Sequence, residues 1–210
     1  MFLINQGPAV DAFIQKFQAA NILPRGECDD LLARYAQLAA AYPLHDPDMV
    51  PSHNDLFKPD NLLFDGHRVW LVDWEAAFLN DRYADLAVAA NLVVTNEAEE
   101  RVYLQEYFGQ PPDLYQQARF SLMQQVAHLF YALAFLFVGS SGEPVNLGES
   151  VPGWRDFHRR FWAGEVDLKD KSMKIAYGRL HWERLVENMR QARFTQAVSI
   201  VSEISHRTFE

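Results

Sequence analysis

Apolar residues recur along most of the chain at the three-to-four residue spacing of a helix that buries one face. Val10, Phe13, Ile14 and Phe17 follow this spacing, and Leu31, Tyr35, Leu38 and Tyr42 repeat it as far as Pro43. Pro24 and Gly26 punctuate the two segments. A polar loop from His45 to Pro51, with three prolines between positions 43 and 51, cannot be regular helix. The pattern then changes. Leu62-Leu63-Phe64 and Val69-Trp70-Leu71-Val72 are unbroken apolar runs that flank Asp65-Gly66-His67-Arg68. Asp-Gly between such runs predicts a β-hairpin, because glycine supplies the positive φ of the turn. Downstream the helical spacing returns. Leu86, Ala89, Ala90 and Val93 share a face, and Asn96-x-x-Glu99 fits a capping box for a helix to about Phe108. Asp113 is placed to cap a long helix whose stripe is Leu122, Val126, Leu129, Phe130, Leu133 and Phe137. A loop rich in Gly, Ser and Pro runs from Gly139 to Gly153, and two or three helices fill Trp154 to the end. The expectation is a mainly α (α+β) fold, one domain over residues 1–210, with a small hairpin inset near its first third.

Composition narrows the class. At 210 residues the chain can bury roughly 70% of its unfolded surface and needs no staples. Its hydrophobic fraction of 49% and charged fraction of 22% exclude disordered, collagen-like and low-complexity classes. Cys28 is the single cysteine, which rules out an intrachain disulfide or a cysteine zinc site and suits a reducing cytoplasm. With Asp29 and Asp30 beside it and no activating cation, Cys28 reads as inert. The net charge of −9 disfavours nucleic acid and membrane surfaces as partners and admits a cationic small substrate. The apolar run Val126–Val138, at 13 residues, is too short to span a bilayer and reads as a buried helix. Met1 to Gln6 lacks the features of a signal peptide.

Candidate chemistry lies around the hairpin. Ser52-His53-Asn54-Asp55-Leu56-Phe57-Lys58-Pro59-Asp60-Asn61 is a polar loop just before it, and Asp73-Trp74-Glu75 stands at its far end. A hairpin returns the chain, so Asp73 should come near Asn61. Asp55, Asn61, Asp73 and Glu75 then share one small space. Hard oxygen ligands without cysteine suit Mg²⁺ rather than zinc.

In this order the segments resemble the C-terminal lobe of a protein-kinase-like fold, most closely the choline/ethanolamine kinase and aminoglycoside phosphotransferase families. His53-Asn54-Asp55 matches the H-x-D of the catalytic loop, and Lys58-Pro59-Asp60-Asn61 is similar to its end. Asp73 falls at the metal-binding Asp of D-F-G. Asp73-Trp74-Glu75 is closer to the choline and ethanolamine kinase form, and Asn80-Asp81-x-x-x-Asp85-Leu86-Ala87 is similar to the stretch that follows in small-molecule kinases. The resemblance implies an ATP- and Mg²⁺-dependent kinase that phosphorylates a hydroxyl of a small molecule such as choline, ethanolamine or an aminoglycoside. It implies that Asp55 takes the acceptor proton, that Asn61 and Asp73 hold Mg²⁺ on the nucleotide phosphates, that Glu75 assists the metal, and that Lys58 neutralises the transferred phosphoryl. His53 and Asp85 read as framework residues, and Asp81 as a helix N-terminal residue favoured by the dipole.

Two departures qualify this. Five residues, not the family's four, separate Asp55 from Asn61, which makes Asp60 a rival metal ligand. Only 52 residues precede His53, and no spacing among the ten glycines makes a Gly-rich loop. The N-terminal lobe is therefore expected to be missing, and this chain alone to be inactive or weakly active. The alternative reading is a non-catalytic lobe that binds or oligomerises through the surface an N-lobe would cover. Trp154, Phe157, Phe161, Trp162, Tyr177 and Trp182 are candidates for a cation-binding aromatic pocket, although such stripes are more often core. His128 and His158 read as ordinary helix residues.

Overall fold

The computed structural model describes residues 8–43, 49–146 and 150–208. Met1–Gln6 and Leu44–Asp48, with most of the polar loop, lie outside them. Helices α1 (Pro8–Ala19) and α2 (Arg25–Ala41) come first. Leu31, Tyr35, Leu38 and Tyr42 all point into the core, the face that the spacing predicts. Strand β1 (Met49–Ser52) then pairs antiparallel with β4 (Phe78–Asp81), in the register Met49↔Asp81 to Ser52↔Phe78. Sequence reading predicts neither strand: β1 falls in the expected loop and β4 in a region read as helical. Each is four residues long and stabilised by its partner, which no local pattern announces. Pro51 is tolerated because a strand of a two-stranded pair has a free edge.

Between these strands sits the predicted hairpin, β2 (Leu62–Phe64) and β3 (Val69–Leu71), with Leu62 opposite Leu71 and Phe64 opposite Val69. Gly66 takes φ +96° in its turn. The Asp65 carboxylate holds that turn, accepting from the N–H groups of His67 and Arg68 at 2.9 Å and from Trp70 Nε1 at 2.8 Å.

The rest is helical: α3 (Arg82–Val93), α4 (Glu97–Phe108), α5 (Leu114–Ser140), α6 (Trp154–Trp162), α7 (Lys171–Met189) and α8 (Ala192–Thr208). Asp113 and Gln116 form a reciprocal capping box at the start of α5. At α4 the box is displaced by one residue. Asn96 caps the N–H groups of Ala98 and Glu99, but the Glu99 carboxylate reaches back to the N–H of Thr95, at 2.7 Å. Helix α5 runs for 27 residues through the middle of the molecule, longer than its apolar run. Among the described residues one helix, α5, is long and apolar enough to cross a membrane, and 78% of its most apolar window is buried inside the protein.

Gly139, read as the start of a loop, lies inside α5. A Cβ there would come within 2.9 Å of Ile175, and one at Gly178 within 2.8 Å of Leu136. The two glycines let the backbones of α5 and α7 approach more closely than side chains would allow. The main core gathers on α5 from α2, α3, α7 and α8. A smaller cluster of Phe157, Val166, Tyr177 and Leu180 joins α6 to α7.

Candidate active site

Residues 52–61 leave β1 as an irregular loop fixed by side chains from elsewhere. The Asp85 carboxylate, in the first turn of α3, accepts from the His53 N–H at 2.6 Å and the Asn54 N–H at 2.9 Å. Burial raises the Asp85 carboxyl above its usual range, against the pull of these two amides. His53 is buried, and its Nε2 donates to the Val72 carbonyl at 2.7 Å, tying the loop to the end of the hairpin. Its ring meets Trp74 at a centroid distance of 4.8 Å.

Asn54 is the pivot. Its φ of +64° is a left-handed conformation that Asn tolerates better than most residues. Its amide donates to the carbonyls of Ser52 at 2.9 Å and Ala76 at 3.2 Å, and its Oδ1 accepts from Asn80 Nδ2 at 2.7 Å. The loop, the turn after the hairpin and β4 are thereby joined at one side chain. Sequence reading assigns Asn54 and Asn80 no role. The available signal was an Asn at the turn from strand to loop, where an amide can satisfy several backbone groups.

Past Asn54 the chain turns at Leu56 and Phe57 and forms a 3-10 helix, Pro59–Asn61. This absorbs the extra residue. Asn61 is carried inward and buried, and Asp60 is left exposed. Asn61 Nδ2 donates to the Asp55 backbone carbonyl at 2.8 Å and to Asp55 Oδ2 at 3.2 Å, which leaves Oδ1 as the atom free to meet a cation. Lys58 Nζ pairs with Asp55 Oδ2 at 2.5 Å. The lysine titrates above its ordinary value, chiefly through this hydrogen bond, with the charges of Asp55, Asp73 and Glu75 adding to it.

The hairpin brings Asp73 back as predicted from its geometry: the Val72 N–H donates to the Asn61 carbonyl at 3.1 Å. Asp73 has φ +64° and opens a 3-10 turn, Trp74–Ala76, with its carboxylate exposed. A non-glycine residue held left-handed costs about 1 kcal/mol or more and tends to occur at functional sites. Here two such residues, Asn54 and Asp73, flank one site. Asp81 does more than begin a helix. It caps α3, is buried, and pairs with Arg119 of α5 at 2.5 Å and with the Tyr42 hydroxyl at 2.8 Å.

Asp55, Lys58, Asp60 and Glu75 form one end of a cleft of about 1140 Å³. Phe130, Tyr131 and Phe135 of α5 and Phe161 and Trp162 of α6 make an aromatic wall. Phe161 and Trp162 are thus the two aromatic candidates that reach this cleft, whereas Phe157, Tyr177 and Trp182 are packed inside. The arrangement offers a carboxylate, a cation and oxygen donors at the mouth of a pocket of substrate size. Asn61 Oδ1, Asp73 and Glu75 are the oxygen donors that could hold a hard cation. No cluster of three or more His, Cys, Asp or Glu able to hold a metal on its own occurs among the described residues. That donor set fits Mg²⁺ brought in with phosphate and water, since Mg²⁺ takes few protein ligands.

Residues 8–120, more than half of the chain, match the model of a phosphotransferase enzyme family, and the chain belongs to that family. The fold is similar to that of a choline/ethanolamine kinase family protein from Mesorhizobium loti, with a TM-score of 0.65 at 20% sequence identity. That match covers 92% of this chain and 57% of the other, so this chain spans little more than half of that protein's length. A search of curated proteins found no match.

Proposed function

We propose that the chain is the catalytic and acceptor-binding part of an ATP- and Mg²⁺-dependent cytoplasmic kinase that phosphorylates a hydroxyl of a small, cationic alcohol of the choline or ethanolamine kind. The observation that carries the reading is the Asp55 carboxylate, held by Lys58 and Asn61 at one end of the cleft. In the transfer the acceptor oxygen bonds to the terminal phosphorus, the bond to the bridging oxygen breaks, and the hydroxyl proton passes to Asp55. Lys58, already attracted by Asp55, Asp73 and Glu75, is placed to meet the charge of the phosphoryl oxygens. Asn61 Oδ1 and Asp73 would hold the metal, with Glu75 beside it; when bound, Mg²⁺ supplies positive charge to the nucleotide phosphates. The aromatic wall suits an ammonium group through cation–π attraction, and the same wall with Asp60, Glu75 and Asp167 on the rim also fits an aminoglycoside.

Calorimetry with ATP and Mg²⁺ on this chain and on Asp73→Ala tests the metal and nucleotide part, and binding should be lost in the variant. A phosphorylation assay with choline and ethanolamine tests the rest. In a full-length form that carries an N-lobe, Asp55→Ala should lower the rate by about 10²–10⁴-fold without loss of fold; an unchanged rate there would overturn the assignment.

A second reading rests on a separate observation. Leu63, Phe64, Val69 and Trp70 are large apolar side chains that stand about half or more exposed on the hairpin. Such a patch favours association, with a second copy or another chain. Light scattering across a concentration series separates the readings: a monomer throughout removes self-association.

A further inference from the structure

A second cavity, of about 540 Å³, opens where α5, α6, α7, α8 and the α3–α4 connection meet. That volume is within the range of small-molecule sites. None of Asp55, Lys58, Asn61, Asp73 and Glu75 lines it. Its lining includes Arg155 and Arg159 of α6, Arg184 of α7 and Arg193 of α8, against two carboxylates, Glu97 and Glu100. Arg159 is already answered by Asp156 at 2.9 Å and Glu165 at 3.8 Å. The Glu100 carboxylate is taken up by Arg193. Arg184 makes one bond of 3.2 Å to Glu187 and lies over the Trp154 ring, 5.7 Å from its centroid. Arg155 makes no hydrogen bond or ion pair among the described residues, although its charge acts on the nearby Glu99 carboxylate.

The arginines are not the whole site. Two histidines in the lining, His128 and His158, are 4% and 5% exposed. His158 Nδ1 lies 2.8 Å from the Trp154 carbonyl, so that nitrogen is the donor and carries the proton. Its Nε2 is then an acceptor, and it is buried with no partner. A buried acceptor left unpaired costs about 1–3 kcal/mol, which a bound O–H or N–H group would relieve. The Trp154 ring, its centroid 4.3 Å from that of His158, adds a flat apolar wall.

We infer that this cavity is a second ligand site, for a small organic anion with a flat body and an O–H or N–H donor. Its carboxylate or phosphate pairs with Arg155 and Arg184, its flat part lies on Trp154, and its donor reaches His158 Nε2. Carboxylate and phosphate share this chemistry. Two probes separate them: 4-hydroxybenzoate and 4-hydroxyphenyl phosphate, each titrated calorimetrically into the intact chain. Saturable binding of either is expected, weakened about tenfold or more in the Arg155→Gln/Arg184→Gln variant and unchanged in Lys58→Gln. The two arginine positions lie at the cavity rim, and an unaltered melting curve verifies that the variant is folded. No binding of either probe up to about 10 mM, well above a millimolar dissociation constant, would overturn the site. So would binding indifferent to the arginines or lost with Lys58. Neither probe tests Asp73 or nucleotide binding, so failure here leaves the kinase reading standing.

Discussion

Phe64 and Leu133 are both large apolar side chains in regular elements, yet Phe64 is 69% exposed on the hairpin and Leu133 is 1% exposed in α5. The two elements meet their surroundings in opposite ways. Helix α5 packs against α1, α3, α7 and α8 along most of its length, so its apolar residues anchor the fold. The hairpin has one strand neighbour on each side of its turn and little behind it; all three residues of β3 are exposed. It is held by the bonds at its ends, Val72 to Asn61 and His53 to Val72, rather than by burial. An apolar run therefore carries two meanings here: core in the helix, and a presented surface in the strands whose ends bring the candidate metal residues together.

The largest effect should come from α5. Arg119 is buried, pairs with Asp81, and lies over the rings of Tyr42 and Tyr83 at 4.9 and 4.8 Å. Arg119→Met would strand the Asp81 carboxylate in the core and should cost about 3–5 kcal/mol in urea unfolding. A cost below about 1 kcal/mol would show that the pair does not anchor α5 to the end of β4.

A pH series probes the same helix more gently. His128 and His181 are buried with their Nδ1 atoms 3.0 Å apart, one donating to the other. Burial pushes His128 down to about 3 and lowers His181 and His158, with nearby Arg184 and the other histidines adding to the shift. In the unfolded chain these groups titrate near 6.5. Below that pH the unfolded state binds protons that the folded state refuses, so stability is complete above about 6.5 and falls as the pH drops. The loss should approach about 1.4 kcal/mol per histidine per pH unit. Urea midpoints between pH 7 and 5 measure it, and a flat profile would mean the three rings are charged or solvated.

The smallest stability effect belongs to the hairpin. Phe64→Ser should change stability by no more than about 0.5 kcal/mol, because little burial is lost. A loss the size of a core truncation would show that the hairpin is covered, in solution, by something that stabilises it.

The repetitive parts of the fold were legible in the sequence. The faces of α2 and α5, the Asp113 cap and the Asp65-Gly66 turn follow from spacing and local chemistry. Strands β1 and β4 were not, because four residues stabilised by a distant partner leave no periodic trace. The capping residue Asn96 was readable, whereas the one-residue displacement of its Glu99 partner depended on where the Thr95 N–H points. Around the site, the grouping of Asp55, Asn61 and Asp73 followed from the hairpin's return. Asn54 went unread because its role lies in reaching Ala76 and Asn80, residues more than twenty positions away.

By itself, the sequence determined which segments become helix and hairpin, which residues carry charge and oxygen donors, and the kinase-like order of those motifs. These are local properties, set by periodicity, turn chemistry and residue type. Only the tertiary structure decided that Asn61 turns inward to Asp55 while Asp60 faces water, that α5 and α6 raise an aromatic wall beside them, and that arginines from three helices gather around His158. Each of those depends on which surfaces meet when helices pack, and packing brings together side chains that no interval along the chain relates.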